Sequence, residues 1–129
     1  MASPFDDPQA ELAWMFLVGL CGEDNLDDVF ALVSDDFTYW SIVGRKTLGA
    51  DQLRLLTEGR RIGLRVTLEL VRCINEHETV VIEANGDCAT ADGAHYESPL
   101  VFVVDTRDGR VVSVREYTDT QVAADMLGI

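Results

Sequence analysis

Val111-Val112-Ser113-Val114-Arg115-Glu116-Tyr117-Thr118 is a strand by composition, and it carries one acid on its apolar side. Side chains alternate across a strand, so Val112, Val114, Glu116 and Thr118 are expected on one face, with Ser113, Arg115 and Tyr117 on the other. A carboxylate in line with two valines is expected to be partly buried. Such a group is costly to hold ionised unless donors meet it, and its pKa responds to whatever does. Glu116 is therefore a candidate acid or base. The plainer alternative is a structural ion pair with Arg65 or Arg72 across the sheet.

Upstream of this stretch the chain repeats the β pattern three times, at residues 64–74, 79–85 and 95–105. Asn75-Glu76-His77-Glu78, Ala91-Asp92-Gly93 and Arg107-Asp108-Gly109 separate the segments with turn-forming residues. The first half reads differently. Dense apolar residues over 8–20 predict a mostly buried helix with Asp7 as N-cap, Pro8 in its first turn and Gly22 at its end. Asn25 or Asp24 caps a second helix, in which Leu26, Val29, Phe30 and Val33 recur at helical spacing. Residues 37–43 are aromatic and β-branched and predict a strand. Gly49-Ala50-Asp51 opens a third helix through Glu58, broken by Gly59 and Gly63. Asp119 is expected to cap a short helical tail over 120–127. Three helices followed by an antiparallel meander define an α+β fold with the helices on one face of a strongly curved sheet, a shape that leaves a conical pocket.

The 129 residues suit a single domain over 1–129, with no linker or repeat. Ten Lys and Arg against 23 Asp and Glu give a formal charge of -13, which argues against nucleic-acid and anionic-membrane partners. No apolar run approaches membrane-spanning length and the N-terminus is acidic, so a cytoplasmic location is expected. Cys21, Cys73 and Cys88 are odd in number and widely spaced, and Cys21 and Cys73 read as core thiols. With His77 and His95 the only histidines, no multi-histidine metal site is expected.

The order of elements, the segment Ser34-Asp35-Asp36-Phe37-Thr38-Tyr39-Trp40, and the ending Asp108-Gly109-Arg110-Val111-Val112 through Arg115-Glu116-Tyr117-Thr118-Asp119-Thr120 resemble the nuclear transport factor 2-like superfamily. Within it, the chain is most similar to SnoaL-like and ketosteroid-isomerase-related proteins. The resemblance implies a cone-shaped α+β barrel, a homodimer packed through the sheet, a small hydrophobic ligand and no cofactor.

It also separates the site designs of the superfamily. The steroid isomerases have an Asp base where this chain has Ser41, and their oxyanion-hole Tyr and Asp fall near Met15 and Val101. Limonene-type epoxide hydrolases match Glu116 and Tyr39, have an Asn where Ser41 stands, and use an Arg and an Asp that fall near Glu83 and Asn85. SnoaL-like cyclases share an acid in the register of Glu116. The resemblance thus favours proton transfer on a small hydrophobic carbonyl compound by an isomerase, cyclase or dehydratase, with a non-catalytic binding protein as the alternative and an epoxide hydrolase behind both.

Glu116 and Tyr39 are the expected catalytic pair, with Tyr39 donating to a developing enolate. Trp14, Trp40, Ser41, Glu83, Asn85, Val101 and Val114 are the expected pocket lining, with Glu97 near its mouth. His95 is expected at the surface.

Overall fold

The computed structural model describes residues 5–128. Helix α1 (Pro8–Cys21) starts where Asp7 accepts hydrogen bonds from the Gln9 and Ala10 amides at 2.8 and 3.0 Å, and ends at Gly22, whose amide returns to the Val18 carbonyl. Helix α2 (Leu26–Phe30) is capped by Asn25. Strand β1 (Val33–Ser41) and the short β2 (Thr47–Gly49) lead into α3 (Ala50–Gly63). The long strands β3 (Leu64–Glu76), β4 (Thr79–Thr90), β5 (His95–Arg107) and β6 (Arg110–Thr118) follow, then α4 (Thr120–Leu127). Asp119 caps α4 by accepting from the Gln121 and Val122 amides.

The six strands form one sheet in the order β2-β1-β6-β5-β4-β3. The last four are an antiparallel meander, and β1 lies parallel to β6. The β5–β6 turn places Asp108 and Gly109 at φ 52° and 75°, the left-handed pair that a tight two-residue hairpin requires. The sheet does not close on itself, so helices seal the cone. Helix α1 crosses the inner face over β3 to β6, and α3 bridges from β1 and β2 to β3.

The core lies between α1 and the inner face. Phe16 and Leu17 of α1 are fully buried there with Val80, Ile82, Phe102, Val104, Val111 and Val114, and Phe16 meets Phe30 and Phe37 edge-on. Alternation selects these residues in every strand, but not always in the expected phase. In β4 the inner residues are Val80, Ile82, Ala84 and Gly86, so Glu83 and Asn85 face outward. In β5 they are Leu100, Phe102, Val104 and Thr106, which turns Val101 outward as well. Between β5 and β6 the register slips after Asp105, which pairs with Ser113 while Thr106 pairs with Val111, leaving Val112 of β6 as a bulge. Val111, and not Val112, is therefore the buried partner of Val114.

Several elements differ from their expected limits: β1 begins at Val33, which helical spacing assigns to the second helix, and β3 and β5 each run two residues further. Helix α3 runs through Gly59 to Gly63 instead of stopping at Glu58, and β4 continues to Thr90 instead of Asn85. The three-residue β2 was not expected. Among the described residues no helix is long and apolar enough to cross a membrane.

Candidate active site

Ser41, Glu116, Phe102, Ile82 and Cys73 are successive partners across β1, β6, β5, β4 and β3, and so form one row on the inner face. The next row, toward the core, holds Tyr39, Val114, Val104 and Val80. Tyr39 and Val114 are 6% and 1% exposed, whereas Ser41 and Glu116 are only half-buried. The site thus lies where the packed interior gives way to the open end of the cone. Beyond it, Leu68, Leu70 and Leu100 continue the inner face as a half-buried apolar surface.

Glu116 has the donors that its position demands. The Tyr39 hydroxyl donates to Oε1 at 2.5 Å, and the Ser41 hydroxyl donates to Oε2 at 2.9 Å. Ser41 Oγ is itself held by the Val43 amide at 3.2 Å. Neither arginine considered as a partner is near: Arg65 pairs with Glu23 and Arg72 with Glu83. Glu116 is therefore held by two neutral hydroxyls, a carboxylate with no cation paired to it among the described residues.

That charge acts on its neighbours. Burial, and then the Glu116 carboxylate, push the Tyr39 hydroxyl well above the ordinary phenol value, so Tyr39 is a fixed donor and not a base. Cys21, at the end of α1, is pushed up to about 12 by burial first and by Glu116 second. Burial also raises the Cys88 thiol, with Arg60 opposing the shift and Asp87 and Glu116 adding to it. All three cysteines are free.

Of the expected site residues, the structure brings together Glu116, Tyr39, Ser41 and Val114. It separates the others. Trp40 is on the outer face, where the Arg115 guanidinium lies 4.3 Å from its ring centre and Tyr117 packs beside it. Glu83, Asn85 and Val101 share that outer face because each is offset by one residue from the inner row. Trp14 sits edge-on to Phe5, two turns from Cys21 and about 10 Å along α1 from the site's edge. Glu97 and His95 are exposed, His95 within 3.3 Å of Asp87. Met15, like Val101, is turned away from the interior and is 51% exposed. Among the described residues no cluster of three His, Cys, Asp or Glu side chains is arranged around a metal position.

Sequence reasoning missed the contribution of α3. Arg60 donates to the Leu20 and Cys21 carbonyls at 2.8 and 3.4 Å, and Arg61 reaches Gly19 and Asp24 at 2.8 and 2.7 Å. Both cap the end of α1, which has no basic residue in its own last turn. The available signal was Arg60-Arg61 itself, the pair of cations that favours the last turn of a helix.

A depression of about 490 Å³ lies at the opposite end of the sheet, lined by Ser34, Asp35, Asp36, Arg107, Asp108 and Arg110. It forms where β1 and β6 both lose register, and Arg107 bridges it to both oxygens of Asp36.

A curved sheet sealed by helices, with a carboxylate held on its inner face at the open end, defines a nuclear transport factor 2-like cone protein. More narrowly, the chain belongs to the SnoaL-like domain family, whose model matches residues 16–114 and stops two residues short of Glu116. Among curated proteins no sequence match was found. Solved structures agree on the fold. An NTF2-like protein of Burkholderia pseudomallei superposes with a TM-score of 0.82 at 16% identity, over 95% of this chain and 99% of that one. A protein of Shewanella denitrificans, provisionally assigned as a SnoaL-like polyketide cyclase, gives 0.80 at 14% identity over 93% and 96%. An LEH-like epoxide hydrolase of Mycobacterium tuberculosis gives 0.77 at 19% identity over 95% and 97%.

Proposed function

We propose that the protein is a cofactor-independent acid/base enzyme that moves a proton on a small hydrophobic carbonyl compound, as an isomerase, cyclase or dehydratase. The observation that carries this reading is the Tyr39–Glu116–Ser41 arrangement on the inner face, beside apolar Phe102, Val114 and Leu100. Glu116 takes a proton from the carbon next to the substrate carbonyl, and the C–H electron pair becomes the enolate. Negative charge leaves the carboxylate and appears on the enolate oxygen. Tyr39 has one hydroxyl hydrogen, and in the resting site Glu116 holds it. Once Glu116 is protonated that hold weakens, and the hydroxyl turns to follow the charge. The carboxyl then returns its proton to a different atom, so the cycle consumes no co-reactant.

Epoxide opening is supported less well. Tyr39 and Ser41 around Glu116 suit the positioning of a water molecule, but the inner residues beside them in β4 and β5 are Ile82, Ala84, Leu100 and Phe102, none of which can polarise an epoxide oxygen. The second reading is a pure binding protein, in which Glu116, Tyr39 and Ser41 orient a ligand without turnover. The test is incubation of wild type and Glu116→Gln with hydrophobic ketones, followed by product analysis. Product from the wild type and none above background from the variant supports catalysis; binding without product from either supports the binding protein.

The same reading includes a cytoplasmic homodimer formed through the outer face, where Trp40, Val101, Val103 and Tyr117 are only half-covered in the single chain.

A further inference from the structure

We propose that Leu100, laid over Gly86, sets the size of ligand the site accepts, and that its seat leaves room beside Glu116 for a fused-ring apolar body. The placement of the ligand rests on the proposed function; the packing of Leu100 on Gly86 does not.

Gly86 is buried in the middle of β4, with regular partners on both sides, Leu68 in β3 and Ser98 in β5. No bulge falls there and its φ lies outside the left-handed region, so backbone conformation does not call for glycine. A glycine inside a strand weakens it, and the remaining reason for one is close approach by a neighbour. That neighbour is Leu100. A Cβ at position 86 would lie 2.7 Å from Leu100 Cδ1, with Leu100 Cγ at 3.8 Å and the Ser98 carbonyl at 3.6 Å. Leu100 itself pairs with Ala84, one step nearer Glu116 on the same face. Its side chain therefore leans from the level of Ala84 toward that of Gly86, away from Glu116.

Leu100 is also the first apolar side chain of the sheet that a ligand beside Glu116 meets. In the row of Glu116, Phe102 and Ile82 are fully buried. In the next row Thr118, Leu100, Ala84 and Leu70 are successive partners, and Leu100 and Leu70 are half-buried. Leu100 is thus diagonal to Glu116, a separation that long side chains bridge. Thr118, on its other flank, is engaged with the Pro99 carbonyl at 3.0 Å and Ser98 Oγ at 2.8 Å. With Leu100 lying toward Gly86, the surface from the level of Phe102 to that of Ser98 spans four residues, about 13 Å along the strand, the reach of fused rings and not of one ring. A methyl at position 86 turns the flexible end of Leu100 back over that surface, which shortens it without breaking a backbone bond.

The experiment titrates 9-phenanthrol and 2-naphthol, which share a phenolic hydroxyl and differ by one ring, by fluorescence. The wild type is expected to bind 9-phenanthrol the more tightly, because it covers more apolar surface. Gly86→Ala should weaken 9-phenanthrol about tenfold and 2-naphthol less than about threefold. In a Leu100→Ala background the same change should alter 9-phenanthrol less than about threefold, since the side chain it displaces is gone. Equal effects on the two compounds, no effect on either, a full Gly86→Ala effect without Leu100, or no saturable binding of 9-phenanthrol to the wild type overturns the inference. If Gly86→Ala does not fold, carbon-proton NMR of the wild type decides: the Leu100 methyl resonances should move as 9-phenanthrol is added, and unmoved resonances overturn it. Ring-size selection insensitive to Gly86→Ala, with Glu116-dependent turnover intact, removes only the inference. Selection that depends on Gly86 and Leu100, with no Glu116-dependent turnover of any ketone, removes only the proposed function.

Discussion

Glu116 departs from the pattern of its own strand, and the reason is visible in its two partners. A buried-face carboxylate between two hydroxyls is anchored in place yet not neutralised, as an arginine partner would neutralise it. The thiol of Cys21 reports the same environment. With its pKa pushed up to about 12, it should resist iodoacetamide at pH 8 in the folded protein and react on unfolding, as mass spectrometry of the alkylated chain would show. The sign of the pH effect follows. A raised folded-state pKa contributes stability that is complete below the unfolded value of 9.0 and is lost as pH rises toward about 12. Tyr39, raised above its ordinary 10.0, acts in the same direction. The melting temperature should decline steeply above about pH 9, and Cys21→Ala should make the decline shallower.

Gly19 sets how closely α1 and α2 approach. A Cβ there would lie 2.9 Å from Val29 Cγ2 and 3.3 Å from Asp24, and the stiff valine cannot move aside cheaply. Gly19→Ala gains about 0.5–1 kcal/mol of helix preference and loses about 1–3 kcal/mol to overpacking, so a net loss in chemical denaturation is expected. The long strands, their turns and three helix caps were legible because each rests on local chemistry: alternation, Asp-Gly, and Asp or Asn ahead of a helix. What failed was nonlocal. In β2, Leu48 pairs with Tyr39 across the connection 42–46, a pairing that a three-residue segment does not reveal. The phase of β4 was readable, since Val80, Ile82 and Ala84 are uniformly apolar while Glu83 and Asn85 alternate with them. Placing acids in the pocket by resemblance overrode that pattern. The bulge at Val112 arises from pairing with β5, and no local signal announces it. Helix α3 continues through Gly59 because Leu53 and Thr57 are buried beneath it, and tertiary packing outweighs one glycine.

The whole molecule has two unlike surfaces on one sheet. The inner face holds the core and, at its open end, the Tyr39–Glu116–Ser41 site. The outer face presents Trp40, Arg115 and Tyr117 stacked together beside Val101 and Val103. If the outer face is the dimer surface, light scattering should give twice the chain mass, and Val103→Glu should shift it to one chain with the inner site intact. The fold was legible at this scale from the order of elements alone. The site was legible only in Glu116, Tyr39, Ser41 and Val114, because the other residues depend on which face each strand turns inward and on how far α3 extends.

The central claim is that Glu116 abstracts a proton next to a carbonyl. Deuterium uptake from D2O at the benzylic carbon of 2-tetralone, followed by proton NMR, measures that step without requiring the natural substrate. The wild type should exchange faster than buffer, Glu116→Gln should reduce the enzymatic rate by about 10²–10⁴, and Tyr39→Phe should reduce it by about a hundredfold. Exchange by Glu116→Gln at the wild-type rate would contradict the account.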